Sequence, residues 1–500
     1  MTISLDYFPA VGGLNQEAPP LAMQPGELVD GANYECLPNG GYRRIYGYEL
    51  FDGQDSGQQP VPGTGDILGV HIYKGNVYAF RGNGSVVRMY RATNSGWVQP
   101  NSGKTWSLSG KFRCCNYNFM GQDYQEKMFI VNGVNRAEQF DGVNFTTLYT
   151  GAGTDNPSLV VGYKYHLFLA VESSLVSSGI GEPTSYSVSD GAIEIAVGDT
   201  ITNLREHSSA LIVGCQDSTK TLYGSSLADW QLEDLNKAGS YEDTLESIGG
   251  QVMGLDRQGL MSLSAAQQFG NFAYASLSQK VATLIQQFTN QFGVDPVSVI
   301  NRSSNQYRLF NDRDGLYFTF AGPQLVGVAK TRFPDPVKCI SSAIDEQQSE
   351  VTVFGSEDGK VFKMDTGYRF NEQPIYAYLL TNFTAYGGST VNKRFRLVQP
   401  DIRVEGLEQV RVAVRATTEY GLGDSSRGVS LDLYPAPGSL YDVSFWDEFK
   451  WDATYSNDAK VRVSVSGTNM GVYIATEGTE NAVHTVHGVT LHYSPRRLKR

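Results

Sequence analysis

The chain has 500 residues, 41% of them apolar and 12% aromatic, with 54 glycines and a formal charge of −12. That length exceeds one ordinary core unless the chain is built from repeats, and 29 Tyr with 24 Phe suit many short strands rather than surface helices. The acidic balance argues against a general nucleic-acid groove, which needs clustered basic residues, though not against a wall past which DNA slides, and no run of 18 apolar residues offers a membrane span.

The first residues, MTISLDYFPAVGG, lack the basic and apolar regions of an export signal. Pro9, Pro19, Pro20, Pro25 and Pro38 restrict long strands and helices over residues 1–60. The expectation is an extended arm with one short helical turn near Gly26 to Tyr34.

That stretch carries a dense pattern: Gly13-Leu-Asn15, Pro20-Leu-Ala, Pro25-Gly26-Glu27-Leu-Val-Asp30-Gly-Ala-Asn33-Tyr34-Glu35, Gly40-Gly41-Tyr42-Arg43-Arg44-Ile45, Gly47-Tyr48-Glu49 and Phe51-Asp52-Gly53. It resembles the N-terminal signature of short-tailed bacteriophage tail proteins known as nozzle, tail tubular protein B or packaged-DNA stabilisation protein. Weaker echoes are GLMSLSAAQQFG, ASLSQKVATLI and the region from Leu380-Thr381 to Asn392-Lys393-Arg394-Phe395. The resemblance implies a propeller-bearing subunit that forms a homo-hexameric ring below the portal and adaptor. Such a ring continues the DNA conduit and retains the genome until ejection.

Residues 61–374 hold the repeat. Ile67 to Gln99 reads as short apolar segments closed by Lys74-Gly75-Asn76 and Gly82-Asn83-Gly84 turns, and glycine with asparagine supplies the positive φ of tight hairpins. Drifted copies follow from Met128, Tyr307 and Val351, with weaker ones near Tyr165, Leu211 and Gly259. Their spacing of about 40 to 50 residues is that of four-stranded propeller blades. An irregular array of sandwiches would also give strands with glycine turns, but not the near-regular spacing. The fold class is therefore all-β: a β-propeller of about six blades, six clear units and a candidate seventh, with one blade closed by an early strand. Within it, Leu277, Val281, Leu284, Ile285, Phe288 and Phe292 mark one amphipathic helix over Ser276–Phe292. Ser276 or Ser278 would cap it and Gly293 end it.

Beyond Pro374 the repeat stops. Val410, Val412 and Val414 alternate with Arg411, Ala413 and Arg415, as in a half-buried antiparallel strand. Residues 375–500 read as a β-sandwich of about eight strands. The glycine-rich loop Tyr420–Gly428 projects from it, and a basic tail, PRRLKR, ends it.

The chemistry sought is not found. Cys36, Cys114, Cys115, Cys215 and Cys339 are odd in number and form no C-x-x-C pair, which argues against zinc and disulfides and for a reducing compartment. Gly179-Ile-Gly181 fails as a dinucleotide fingerprint. His484, His487 and His492 lie three and five apart, so neighbours fall on opposite faces of a strand. Asp312-Arg-Asp314-Gly315 and Glu357-Asp358-Gly359 lack the further oxygens of a calcium loop and read as tight turns. Residues 99–106 echo a sialidase Asp-box turn, with Gln99 and Asn101 where Ser and Asp belong.

The resemblance implies a non-enzymatic virion protein, for which no catalytic, cofactor-binding or metal residues are expected. It would be made in the host bacterial cytoplasm and housed in the tail, with the adaptor and portal, tail fibres or tip proteins, and transiently passing double-stranded DNA as expected partners. The alternative is a glycan-binding or glycan-hydrolysing propeller that recognises a receptor.

Overall fold

Local turn chemistry sets the sheets. Lys74 (φ 47°) and Gly75 (φ 70°) supply two consecutive left-handed residues, the requirement of a two-residue hairpin. Strands Thr64–Tyr73, Asn76–Gly82 and Val86–Thr93 follow in meander order. The computed structural model describes residues 4–498 apart from 21, 101–102, 122–124, 258, 266–271, 277–278, 291–294, 346–347, 387, 406–408, 434–458 and 479–481.

Seven such sheets succeed one another: blade 1 over 64–107, blade 2 over 113–147, blade 3 over 159–196, blade 4 over 201–236, blade 5 over 246–276, blade 6 over 297–337 and blade 7 over 339–364. The first strand of each blade lies beside that of the next, and Cys339–Ile344 of blade 7 returns to Thr64–Tyr73 of blade 1. The ring is closed, so the protein is a seven-bladed β-propeller, the candidate seventh unit included. Blade 7 takes its fourth strand, Tyr48–Leu50, from far upstream, paired with Val361–Met364. Joining the two ends of the propeller in one sheet removes the open edge of the ring.

Shared apolar clusters hold neighbouring blades together. Phe80 of blade 1 stacks on Phe112 at 4.4 Å, and the cluster around them continues into Met128, Ile130 and Phe140 of blade 2. Cys114 and Cys115 sit within strand Arg113–Tyr117 opposite Ile130 and Phe129, and all five cysteines are free thiols.

The sandwich has two sheets. One orders Tyr34–Cys36, Tyr42–Arg44, His484–Leu498, Val391–Val404 and Val461–Gly467, with Ser4–Pro9 also on His484–Leu498. The other orders Leu28–Ala32, Tyr378–Thr381, Met470–Thr476, Val410–Thr418 and Val429–Leu433. Val410, Val412 and Val414 point inward and Arg411 and Arg415 outward, as alternation requires. One core runs through both sheets and on into blades 5, 6 and 7.

Three expectations are corrected. The first 60 residues are no separate arm: residues 4–44 give four strands to the sandwich and Tyr48–Leu50 completes blade 7. The helical turn expected near Gly26–Tyr34 is strand, because Leu28–Ala32 pairs with Tyr378–Thr381 and satisfies its backbone there. Asp314-Gly315 is no hairpin turn, since Gln306–Ala321 runs through it as one strand. That strand bends at Asp312 (φ 56°) and changes partner from Val297–Asn301 to Gln324–Val337. Glu357–Gly359, by contrast, is a turn.

The helix is Ala282–Thr289 behind a short 3-10 turn, with Val281, Leu284, Ile285 and Phe288 buried together. Its N-cap is Val281 and Ser276 belongs to a strand of blade 5, so the expected serine cap is not used there. Leu277, Ser278, Phe292 and Gly293 lie outside the described residues.

Candidate functional site

Two places gather polar side chains in the interior: the joint between propeller and sandwich, and the axis of the propeller.

The joint is built from the N-terminal pattern. Gly13 (φ 67°) passes so close to blade 6 that a Cβ there would lie 2.5 Å from the Val328 nitrogen, and Leu14 N–H donates to the Val328 carbonyl at 2.9 Å. Glu27 is 3% exposed. It accepts from Asn15 Nδ2 at 2.9 Å, from Gln24 N–H at 2.9 Å and from Lys280 Nζ at 2.7 Å. Burial opposes its ionisation, yet these donors hold its pKa below the ordinary value. The Tyr42 hydroxyl accepts from Gly13 N–H at 3.1 Å and donates to the Gly26 carbonyl at 2.6 Å.

Asn33 (φ 60°) stands between the two bodies. Its Oδ1 accepts from Arg332 N–H of blade 6 at 2.9 Å, and its Nδ2 donates to the Tyr376 carbonyl at 2.8 Å. Glu35 binds Arg43 Nη2 at 2.6 Å and accepts from Gln306 Nε2 at 2.9 Å, with Arg308 Nη2 at 3.8 Å. Arg308 is 1% exposed and grips Asp365 at 2.7 and 3.0 Å. A buried guanidinium needs such partners to stay charged. Asp52 is fully buried, accepting from Gln54 N–H at 2.9 Å and Gln59 N–H at 2.8 Å. The signature residues act here as a strap that stitches blades 6 and 7 to the sandwich.

Tyr48 is the deepest stitch. Its ring lies 5.1, 5.1, 4.9 and 5.0 Å from Phe333, Phe354, Phe362 and Phe370. Its hydroxyl donates to Asp335 Oδ2 at 2.8 Å.

The axial cavity is lined by first strands from all around the ring, among them Val70, Arg113, Val160, Arg205, Val299 and Ile340. At the end where those strands begin, Arg113 of blade 2 meets Asp243, which precedes blade 5. Nε–Oδ1 is 2.5 Å and Nη2–Oδ2 is 2.8 Å. Lys111 reaches the same carboxylate at 2.6 Å, and Glu242 takes Arg113 Nη2 at 2.7 Å. Burial alone would raise the Asp243 carboxyl, but Lys111 and Arg113 outweigh it and hold it down to about 2. Arg205 of blade 4 pairs with Glu246, the first residue of blade 5, while burial and neighbouring Arg302 lower the Arg205 pKa to about 10.

Among the described residues, no group of three or more His, Cys, Asp or Glu could hold a metal. His484 is fully buried with Nε2 2.6 Å from the Tyr34 hydroxyl, and burial pushes it down to about 3. His487 and His492 are half-buried on the same strand; His492 pairs with Leu5 and Leu397, whereas His487 lies at a bulge between Val486 and Gly488. No helix is long and apolar enough to cross a membrane among the described residues. Sequence reasoning passed over the axial pair, because its partners lie 130 residues apart and neither stands in a motif.

No family model and no curated protein matches the chain. Among solved structures, the WD40 domain of Toxoplasma gondii coronin is similar at 10% identity and a TM-score of 0.40, over 67% of this chain and 87% of that one. BBS1N in complex with ARL6DN is similar at 12% identity and 0.39, over 64% and 98%. The AfRom2 CNH domain is similar at 10% identity and 0.36, over 65% and 99%. The propeller assignment rests on the closed ring of seven sheets itself.

Proposed function

We propose that the chain is a structural ring subunit of a short-tailed phage tail, a nozzle through which DNA is retained and then released. The observation that supports this reading is the N-terminal pattern of residues 13–53, whose members form the strap described above. The work is mechanical and electrostatic, and no residue is asked to make or break a bond. A duplex cannot thread the propeller, whose axis Arg113 and Asp243 close, so a conduit has to lie between copies arranged around a common axis. Six copies would carry six times the formal charge of −12, which favours passage of a polyanion over adhesion. Loops such as Tyr420–Gly428, where Leu422 is 92% exposed, would narrow that passage.

The test is co-expression with the adaptor ring of the same virus and electron microscopy of the product. Stacked rings are the expected result. A strictly monomeric product would overturn the reading, and turnover of a host surface polysaccharide would favour the glycan-processing alternative.

A further inference from the structure

The chain is electrically lopsided. Residues 159–236, blades 3 and 4, contain ten acidic and three basic residues. On their outermost strands, Ile193–Ala196 and Gln231–Asn236, Glu194, Glu233 and Asp234 are exposed, and so is Asp229 in the turn before the second. The sandwich attaches to blades 6 and 7, on the opposite side of the ring, and its outer face has the opposite sign. Alternation turns Val461, Val463 and Val465 inward and Arg462 outward. Arg394 and Arg396 project from neighbouring Val391–Val404, and the three arginines line one open hollow. Among the described residues Arg462 has no ion-pair partner, and Arg394 reaches only Ser464 Oγ, at 3.2 Å.

Arg396 makes a further contact of its own, but Arg394 and Arg462, exposed side by side, repel one another unless an anion faces them. The same face is also apolar: Leu5, His492, Leu397 and Arg462 form one row across the sheet, and Leu5 and Tyr7 are 60% and 56% exposed. Arginine with tyrosine and an apolar neighbour is the make-up of a protein–protein hot spot, whereas a phosphate track would not call for Leu5.

We propose that the arginine face of the sandwich in one copy seats against the acidic rim of blades 3 and 4 in a second copy. The contact is head-to-tail. Such a contact uses two different patches per copy and therefore builds rings when its rotation closes. This rests on the ring-subunit reading and names the two surfaces that would make the ring.

The experiment uses the full chain in three variants: R394E/R462E, E194K/E233K and all four together, measured by sedimentation and electron microscopy. Each double variant should weaken self-association by about tenfold or more at low salt, and the fourfold variant should restore it, because both patches have exchanged sign. Rings that form in the wild type and ignore every variant overturn the interface and leave the ring reading standing. A wild type that stays monomeric, alone and with the adaptor, overturns both. Rings that persist in R394E/R462E but no longer retain duplex DNA would assign the arginines to phosphate, against the proposal. A lowered melting temperature with unchanged assembly would place their partner within the same chain, again against it.

Discussion

Arg113 and Asp243 face each other across the axis of the propeller, from blade 2 and the approach to blade 5, and their two-point pair at 2.5 and 2.8 Å bars the channel. The side chains are 15% and 21% exposed, enough burial for the pair to matter and too little for the full cost of a dry charge. Asp243→Asn should lower stability by about 2–3 kcal/mol, below the range for breaking a fully buried pair, while far-ultraviolet circular dichroism stays unchanged. An unaltered melting temperature would show that the axial pair is ornamental.

Blade 7 closes through Tyr48. Removing its ring from four phenylalanines should cost about 3–5 kcal/mol in Tyr48→Ala, whereas Tyr48→Phe loses only the hydroxyl's two hydrogen bonds with Asp335, to Oδ2 and from the N–H, and should cost about 1–2 kcal/mol. Hydrogen exchange in the Ala variant should rise at Tyr48–Leu50 and Val361–Met364 before the other blades. Uniform exchange across all seven would contradict the closing role of this strand.

Arg308 ties Glu35 of the strap to Asp365 beyond blade 7. Arg308→Met leaves two carboxylates without their buried cation and should cost about 3–5 kcal/mol. Limited proteolysis should then cut the strap ahead of the propeller. A variant as resistant as the wild type would remove the strap from the account of how the two bodies are joined.

Acid should destabilise the chain in two stages. Burial lowers His71 to about 4 and His484 to about 3. The unfolded chain therefore takes up these protons first, and stability falls as the pH drops from the ordinary histidine value of 6.5 towards 4 and then 3. Asp243 acts at lower pH: its stabilisation is present above the ordinary aspartate value of 3.8 and is lost as the pH falls towards 2. Urea unfolding at pH 7.5, 5 and 3.5 checks this, and a flat profile from 7.5 to 5 would contradict the histidine placement.

How much of this could be read from the chain follows the range of each interaction. Lys74-Gly75 announces its hairpin because the left-handed φ is a local demand, and Val410, Val412 and Val414 announce their inner face because alternation is local too. Tyr48–Leu50 gives no local hint that it completes a sheet some 300 residues away, although a closing early strand is a general need of a ring. Asp314-Gly315 misleads. Gly315 is required there because a Cβ would meet Thr331 Oγ1 at 2.4 Å, not because the chain turns. The residues of the N-terminal pattern were legible as a set, but their work as a strap was not, since each partner lies in another blade or in the sandwich. The axial pair and the arginine face left no sequence signal beyond their charge.

The account depends on copies of this chain enclosing a passage that no single copy provides. Cryo-electron microscopy of the purified chain, alone and mixed with the proposed adaptor ring, tests that directly. Seven-bladed propellers disposed around a shared open axis, each with its own centre shut at Arg113 and Asp243, is the expected image. Isolated single copies, or density for a duplex running through one propeller, would contradict it.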